Sequence, residues 1–216
     1  MFKKFLATLA LTAAFILPIS AAEEHYPVVS IASVNQQLPD WRSCAGFSIG
    51  QGYIITAAHC IAQGLATHTI TFLDGKKVRA RFVAKDDDSD VAVLKSEEVP
   101  GTPSYDLQCG PYDMEILDDV RLEGYPEAFG FAVVVGKIAG PLEKFDPMWV
   151  NELIKINASA FSGFSGGPLI NIETGKVVGV IVGIVIGQPN LGMAAPAFRV
   201  CDLLKSKGIN SLPSMK

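Results

Sequence analysis

Apolar and polar residues alternate in short runs along most of the chain, and glycine, aspartate and proline separate the runs. Alternation with a period of two residues is typical of β-strands, and the separating residues are typical of turns. The pattern predicts six strands in the first half of the chain, at residues 27–33, 44–49, 52–57, 69–73, 77–84 and 91–95. It predicts a second set of six strands at residues 118–124, 131–138, 151–157, 167–171, 176–186 and 191–195.

Between the two sets lies the stretch SEEVPGTPSYDLQCGPYD, which is rich in proline and glycine and lacks periodicity. We interpret it as a linker. Two runs of short strands on either side of a linker predict an all-β fold of two antiparallel six-stranded β-barrels packed together. The sequence therefore divides into an N-terminal barrel at residues 23–100, a linker at 101–117 and a C-terminal barrel at 118–216.

One α-helix is predicted near the end of the chain, at residues 196–207, within the C-terminal domain. Its first residue is a proline, which is favoured at the start of a helix. The helical period places four apolar side chains on one face, namely Phe198, Cys201, Leu203 and Leu204.

The chain begins MFKKFLATLALTAAFILPISAAEE, in which two lysines precede an uncharged run at residues 5–22. Ser20 and Ala22 are the small residues of a cleavage site, so residues 1–22 are predicted to be a secretory signal peptide. The mature chain would start near Glu23, and the protein would be periplasmic or extracellular. The alternative is an uncleaved membrane anchor, because an uncharged run of this length is close to the minimum that spans a bilayer.

The charge of the chain limits its partners. The formal net charge is −4, and without Lys3 and Lys4 it becomes −6, because 16 basic residues then face 22 acidic ones. No basic cluster occurs in the sequence, which argues against a nucleic-acid or anionic-membrane partner. Three scattered histidines give no ligand set for a metal ion, and we expect neither a metal nor a cofactor.

The cysteines number four, at Cys44, Cys60, Cys109 and Cys201. An even number of cysteines in an exported protein indicates two disulfides, and free buried thiols are the less common alternative in an oxidising compartment. Four cysteines permit three connectivities, and the residues themselves do not choose among them.

The segment FSGFSGGPLI at residues 161–170 offers two candidate nucleophiles, Ser162 and Ser165, in a glycine-rich turn. A plain glycine- and serine-rich loop is the alternative. A serine hydroxyl needs a neighbouring base, usually histidine, that a carboxylate holds in place. The G-x-S-x-G elbow of α/β-hydrolases does not fit, because it requires a later histidine and no histidine follows Ser165. A subtilisin-like order does not fit either, because the chain lacks the helices of a parallel-sheet fold.

The remaining possibility is a catalytic triad whose members follow one another along the chain in the order histidine, aspartate, serine. His59 lies in ITAAHC, where a strand pattern ends in a turn, and Asp90 opens the alternating strand DVAVLK. For His59 the alternative is a buried core histidine. For Asp90 the alternatives are three preceding carboxylates that most simply form a solvated turn, those of Asp86, Asp87 and Asp88.

The motifs TAAHC, D-x-A-x-L and G-x-S-G-G-P, in this order and spacing, resemble those of the trypsin-like (chymotrypsin-fold) serine protease family. The resemblance extends over residues 27–205. The segments DVAVLK and EGYP make the chain most similar to bacterial Deg-type proteases. The chain departs from those proteases at Phe164, where they usually carry asparagine. The sequence also ends soon after its final helix, so we expect no PDZ domain.

The resemblance implies a secreted serine endopeptidase that acts on proteins or peptides through an acyl-enzyme intermediate. Ser165 would be the nucleophile, His59 the general base, and Asp90 the group that orients the imidazole. The backbone N–H groups of Gly163 and Ser165 would form the oxyanion hole. Ser162 would be a loop residue, because Gly-Gly-Pro follows only Ser165.

The resemblance also maps the family's primary specificity pocket onto Ser159, the strand segment Val182, Gly183 and Ile184, and the region Gly192-Met193-Ala194. No carboxylate lies at the base of this pocket, and Ile184 should narrow it. We therefore expect a small or medium apolar residue before the scissile bond. The resemblance further implies a disulfide between Cys44 and Cys60, and with it one between Cys109 and Cys201.

Two alternative functions remain open: a catalytically silent homologue that serves as a binding or scaffold protein, and an esterase. Homologues without catalytic activity usually lack one of the catalytic residues, and none is missing here. In digestive relatives an aspartate beside the nucleophile pairs with a new N-terminal ammonium after zymogen cleavage. Phe164 cannot form that pair. We expect it to bury its ring instead, and we expect the chain to need no N-terminal cut beyond loss of the signal peptide.

Overall fold

A computed structural model of the chain describes residues 26–32, 43–61, 67–97, 102–126, 129–144, 151–159, 162–185, 187–210 and 212–215. The predicted signal peptide at residues 1–22 lies outside the described residues. In the described part of the chain, no helix combines the length and the apolar character needed to cross a bilayer.

The first barrel consists of six strands: β1 (Val28–Ala32), β2 (Ser43–Ser48), β3 (Tyr53–Ala57), β4 (Thr67–Phe72), β5 (Lys77–Asp86) and β6 (Val91–Ser96). They pair antiparallel in the order β1-β2-β3-β6-β5-β4, and β4 closes the barrel by pairing with β1. Strand β6 is buried on both faces. Leu94 points into the barrel interior, whereas Val91 and Val93 pack in the cluster between the two barrels.

The second barrel consists of β7 (Asp119–Gly124), β8 (Ala132–Ile138), β9 (Ile154–Asn157), β10 (Pro168–Asn171), β11 (Val177–Val185) and β12 (Gln188–Pro196). The order is β10-β11-β12-β9-β8-β7, and β7 closes it on β10. Two closed antiparallel six-stranded barrels confirm the fold predicted from the alternation of apolar residues.

Ten of the twelve strands lie within two residues of their predicted bounds, and β9 and β12 do not. Strand β9 begins three residues later than predicted, because Leu153 forms only an isolated bridge with Glu143. Strand β12 begins three residues earlier, because its hairpin with β11 extends to a pair between Val185 and Gln188. The polar start of β12 lacks the alternation that marks the other strands.

Among the described residues there is one α-helix, α1 (Ala197–Ser206), which begins directly after Pro196. Its buried stripe follows the 3.6-residue period and consists of Ala197, Val200, Cys201 and Leu204. The buried face of α1 is therefore rotated by part of a turn from the predicted face. Cys201 and Leu204 are buried as predicted, but Phe198 and Leu203 are only half-buried. The guanidinium carbon of Arg199 lies 5.0 Å from the centre of the Phe198 ring at the rim of this face.

The segment predicted as a linker is a packed part of the core. Tyr105 and Leu107 are buried in the apolar cluster between the barrels, which also contains Phe47 of the first barrel and Val180 of the second. Leu107 forms a parallel bridge with Val177. A fully buried leucine stabilises the folded state by about 2 kcal/mol. The segment therefore fixes the two barrels to each other as well as connecting them.

Candidate active site

His59 lies in a short 3₁₀ turn, Ala58–Cys60, that directly follows β3. Ala58 N–H donates to Asp90 O at 3.0 Å, and Ile61 N–H donates to Ala58 O at 3.0 Å. These bonds hold the turn between the end of β3 and the start of β6. Ala58 and Cys60 are buried, whereas the His59 side chain is 36% exposed. The turn thus presents the imidazole at the surface on a fixed backbone.

The carboxylate of Asp90 makes two hydrogen bonds to His59. Asp90 Oδ2 lies 2.6 Å from His59 Nδ1, and Asp90 Oδ1 accepts the His59 backbone N–H at 2.8 Å. Because an ionised carboxylate can only accept, it favours the tautomer with the proton on Nδ1. That tautomer leaves a lone pair on Nε2, the state that a general base requires.

The three competing carboxylates do not contact His59. Asp86 Oδ1 accepts the backbone N–H of Asp88, and Asp87 pairs with Lys85 at 2.6 Å. Asp87 and Asp88 are exposed, whereas Asp90 is 6% exposed. The structure therefore brings only Asp90, among these four aspartates, onto the imidazole.

Ser165 lies in the loop between β9 and β10, and its backbone docks on the first barrel. Ser165 O accepts the N–H of Ala45 at 2.8 Å and lies 3.7 Å from the Cys60 sulfur. A Cβ on Gly166 would lie 2.2 Å from Thr56 Oγ1, so only glycine permits this close approach to β3. The loop thereby places Ser165 beside the turn that carries His59. Ser162 is exposed.

The glycines of this loop adopt conformations that other residues disfavour. Gly163 has a φ of +98°, and a Cβ there would lie 2.2 Å from Tyr125 O. Gly163 O accepts the Tyr125 N–H at 2.9 Å. Within the described part of the chain, the N–H groups of Gly163 and Ser165 donate no hydrogen bond. Two backbone donors therefore remain available at the nucleophile, as an oxyanion hole requires.

Phe164 separates these two donors in sequence and is 1% exposed. Its ring packs in the core of the second barrel with Leu122, Ile156 and Ile181. The ring is therefore buried, as expected from the sequence. Because the flanking N–H groups belong to the same short turn, we expect the buried ring to restrict both.

The predicted specificity residues lie on β11, on β12 and after β9. Gly183 pairs with Met193, and Ile184 pairs with Gly192. Val182 is 5% exposed and Gly192 is buried, whereas Ile184 is 41% exposed. Ser159 donates its hydroxyl to Asn190 Oδ1 at 3.0 Å.

Two further residues lie beside these positions: Met193, which belongs to the expected Gly192-Met193-Ala194 region, and Asn190, which was not predicted. Met193 Cε lies 3.5 Å from the position that a Cβ on Gly183 would occupy, so this methyl group partly fills the space beside the glycine. Asn190 positions Ser159 from the start of β12. No sequence motif marks Asn190, because it reaches the site only through the pairing of β12 with its neighbours.

The structure contains disulfides between Cys44 and Cys60 and between Cys109 and Cys201. The first joins β2 to the His59 turn, and the second joins the packed linker to α1. Cys44, His59 and Cys60 place potential metal-ligating atoms within 4.8 Å of one another. Two of these atoms are bonded to each other, and a disulfide sulfur does not serve as the thiolate ligand that such a metal site needs.

Tyr125, which supports Gly163 through its backbone, is also held through its side chain. Its hydroxyl donates to Val28 O at 3.4 Å. Burial raises the pKa of Tyr125 to about 12, with a further contribution from the negative charge of Asp74. The phenol therefore stays neutral, and remains a donor, throughout the physiological pH range.

Comparison with known proteins gives one family. The model of the trypsin-like peptidase domain matches residues 44–180. A probable periplasmic DegP-like serine endoprotease of Chlamydia trachomatis is 32% identical over 190 residues, covering 81% of this chain and 36% of the relative. A protein of the same description from Rhizobium meliloti is 29% identical over 166 residues, covering 75% of this chain and 32% of the relative. The chain thus spans about a third of the length of the curated relatives it matches.

Solved structures agree with this family in fold. The active form of the Rv3671c protease of M. tuberculosis is 28% identical, with a TM-score of 0.72, covering 96% of this chain and 94% of that one. The serine endoprotease of Yersinia pestis has a TM-score of 0.71 at 23% identity, covering 87% of this chain and 64% of that one. At that identity the likeness concerns the fold alone.

Proposed function

Because the chain belongs to the trypsin-like peptidase domain family, we propose that it is a serine endopeptidase acting through His59, Asp90 and Ser165. The observation that carries the proposal is the Asp90 carboxylate, buried and 2.6 Å from His59 Nδ1. The docking of the Ser165 backbone beside the same turn supports it. A carboxylate on Nδ1 leaves Nε2 as the base, which is the arrangement that acyl transfer to a serine needs.

The chemistry proceeds in two halves. Ser165 Oγ attacks the carbonyl carbon of the substrate, and its proton passes to His59 Nε2. The tetrahedral intermediate collapses when the C–N bond breaks and His59 gives the proton to the departing amine. Water then attacks the acyl-enzyme, with His59 taking a proton from the water. This second intermediate collapses when the bond between the acyl carbon and Ser165 Oγ breaks, His59 returns the proton to Oγ, and the carboxylic acid is released. Asp90 stabilises the imidazolium during both halves.

The oxyanion of each intermediate accepts from the N–H groups of Gly163 and Ser165. Each such donor contributes on the order of 3 kcal/mol to the stabilisation of the transition state. The positive φ of Gly163 and the buried ring of Phe164 support this assignment, because both constrain the short turn to which the two donors belong.

The substrate residue before the scissile bond would enter between Ser159 and the β11–β12 hairpin. Val182, Gly183 and Gly192 would form its walls, and Ile184 would narrow its entrance. The side chains here are small or apolar, so a small or medium apolar residue fits best. Met193 supports this preference because its methyl group occupies space next to Gly183.

The protein would act outside the cytoplasm on protein or peptide substrates. Several relatives are named as periplasmic, and the chain begins with the pattern of a signal peptide at residues 1–22. Both observations support a periplasmic or extracellular location. The two disulfides fit an oxidising compartment.

A fluorophosphonate probe tests the proposal, because it reacts with an activated serine and marks the modified peptide. We expect wild-type protein to be labelled on Ser165 and to cleave unfolded protein substrates. Ser165→Ala should lose labelling and lower kcat by about 10⁴-fold or more, and Ser162→Ala, the matched control in the same loop, should keep most of both. Full activity of Ser165→Ala, or absence of labelling in folded wild-type protein, would contradict the proposal.

A further inference from the structure

Glu123 carries a carboxylate that the proposed mechanism does not use. It is 0% exposed, whereas the catalytic candidate Asp90 is 6% exposed. Both oxygens have donors: Tyr105 donates its hydroxyl to Oε2 at 2.6 Å, and Arg121 donates from Nε to Oε1 at 2.8 Å. Taking a carboxylate out of water is strongly unfavourable unless it is paired and hydrogen-bonded, so this arrangement is specific.

The titration behaviour of its two partners agrees with this geometry. Burial raises the pKa of Tyr105, and the hydrogen bond from its hydroxyl to Glu123 raises it further. Burial alone would lower the pKa of Arg121, but the hydrogen bond and the charge of Glu123 outweigh burial, and the pKa is raised. Tyr105 thus remains a neutral donor and Arg121 a cation.

One side of this cluster is attached to the first barrel. Tyr105 N–H donates to Ser48 O at 2.9 Å, at the end of β2. The Tyr105 ring meets the Phe47 ring edge-on, with centroids 6.3 Å apart. Glu123 therefore joins β7 of the second barrel to a segment that is fixed on the first.

The other side of the cluster forms the support of the nucleophile loop. A Cβ on Gly167 would lie 2.1 Å from Glu123 O. The next residue, Gly124, also packs against the loop, since a Cβ there would lie 2.8 Å from the Cα of Phe164. The residue after that, Tyr125, donates its N–H to Gly163 O. The last two residues of β7 and the residue that follows it thus each contact the loop that carries Ser165.

We propose that Glu123 is a positioning residue: by tying Tyr105 and Arg121 together, it fixes the end of β7 and thereby the direction of the oxyanion-hole N–H groups. The inference rests on the proposed function. Gly163 has no Cβ to restrict its backbone, so its peptide unit stays in place only while its neighbours hold it. The oxyanion exists only in the intermediates and the flanking transition states, so loosening this support lowers kcat more than it raises KM.

The test removes one hydroxyl at each of two buried positions. Tyr105→Phe deletes the donor to Glu123. Ser214→Ala is the matched control, because Ser214 is also buried and donates its hydroxyl to Ile49 O at 2.7 Å, away from the nucleophile loop. We expect Tyr105→Phe to lower kcat about tenfold, since a hydrogen bond to a charged group is lost. Its KM should change less than about twofold, and Ser214→Ala should keep the wild-type kcat.

A second variant and a second measurement complete the test. Glu123→Gln keeps the shape of the side chain and removes its charge, and it should shift kcat in the same direction as Tyr105→Phe. Hydrogen exchange reports on the loop without any substrate, through the Gly166 N–H bonded to Ile181 O and the Gly167 N–H bonded to Phe164 O. We expect both amides to exchange about tenfold faster or more in Tyr105→Phe than in Ser214→Ala.

The outcomes separate this inference from the proposed function. Equal exchange and equal kcat in Tyr105→Phe, Ser214→Ala and wild type would overturn the positioning role even if wild type is a protease. Folded wild-type protein that is not labelled by a fluorophosphonate would overturn the proposed function. The exchange rates of Gly166 and Gly167 would then still decide whether the Glu123 cluster controls the loop.

Discussion

Asp90 has a backbone φ of +53°, a conformation that a residue with a Cβ rarely adopts. Such a conformation costs on the order of 1–3 kcal/mol and persists only where its surroundings enforce it. Here Asp90 O accepts the Ala58 N–H, and the adjacent Ser89 accepts a hydrogen bond from Asn151 of the second barrel at 2.7 Å. The strained backbone aims the carboxylate at His59, so the strain lies where the proposed function needs it.

His68 is a second single residue with a measurable consequence. It is 2% exposed, and burial lowers its pKa from the usual 6.5. Below pH 6.5 the unfolded chain therefore binds a proton that the folded chain does not. We expect the free energy of unfolding to be unaffected by this group above pH 6.5. It should fall as the pH drops from 6.5 towards the lower pKa of the folded state.

Denaturant unfolding of wild type and His68→Gln at pH 7.5 and 5.5 measures this effect. We expect a smaller decrease in the variant, because glutamine does not titrate and its side chain remains polar. The comparison uses the difference between the two pH values within each protein, so a constant loss of stability in the variant does not affect it. Identical decreases in the two proteins would show that His68 does not contribute.

At the scale of elements, the two disulfides act on different parts of the molecule. Cys44–Cys60 closes a short loop and joins β2 to the turn that carries His59. Cys109–Cys201 joins the packed linker to α1, two segments that are far apart in sequence. Neither segment carries His59. The chain-entropy model gives roughly 3 kcal/mol for a separation of 16 residues and roughly 4.5 kcal/mol for a separation of 92.

Paired serine substitutions separate stability from activity. Replacing Cys44 and Cys60 by serine should lower both the free energy of unfolding and kcat, because the His59 turn loses its covalent anchor. Replacing Cys109 and Cys201 should lower the free energy of unfolding by more and leave kcat closer to wild type. Denaturant unfolding and steady-state peptide cleavage give the two quantities. A larger loss of kcat in the second variant would contradict this assignment.

At the scale of the whole molecule, the interface between the two barrels brings the residues of the candidate site together. His59 and Asp90 belong to the first barrel, Ser165 belongs to the second, and the apolar cluster between them draws on both barrels and on α1. In digestive relatives a buried N-terminal ammonium completes this assembly. Phe164 replaces the aspartate that would pair with it, and burying an unpaired ammonium costs several kcal/mol.

We therefore predict activity without N-terminal processing beyond loss of residues 1–22. Proteins that begin at Glu23, with and without an N-terminal tag, should cleave the same substrate at equal rates. The Phe164 ring is already buried in the second barrel, so we expect a free amino terminus to add nothing. A tagged protein that stays silent until the tag is trimmed would show that a new N-terminus is required.

The sequence by itself determined the strands and the candidate site, because both depend on short-range order. Alternation with period two is a local property and placed ten of twelve strands within two residues. The motifs around His59, Asp90 and Ser165 are also local. The order of residues along the chain excluded the α/β-hydrolases, and the lack of predicted helices excluded a subtilisin-like fold.

The tertiary structure alone decided which of these pieces touch. The bond between Ser89 and Asn151 joins residues 62 positions apart, and the bond between Tyr105 and Glu123 crosses from the linker to the second barrel. Neither has a local signal, since alternation along a strand does not show what packs against its outer face. The linker became part of the core for the same reason: its proline and glycine mark turns, but its burial depends on the surfaces that the two barrels present to it.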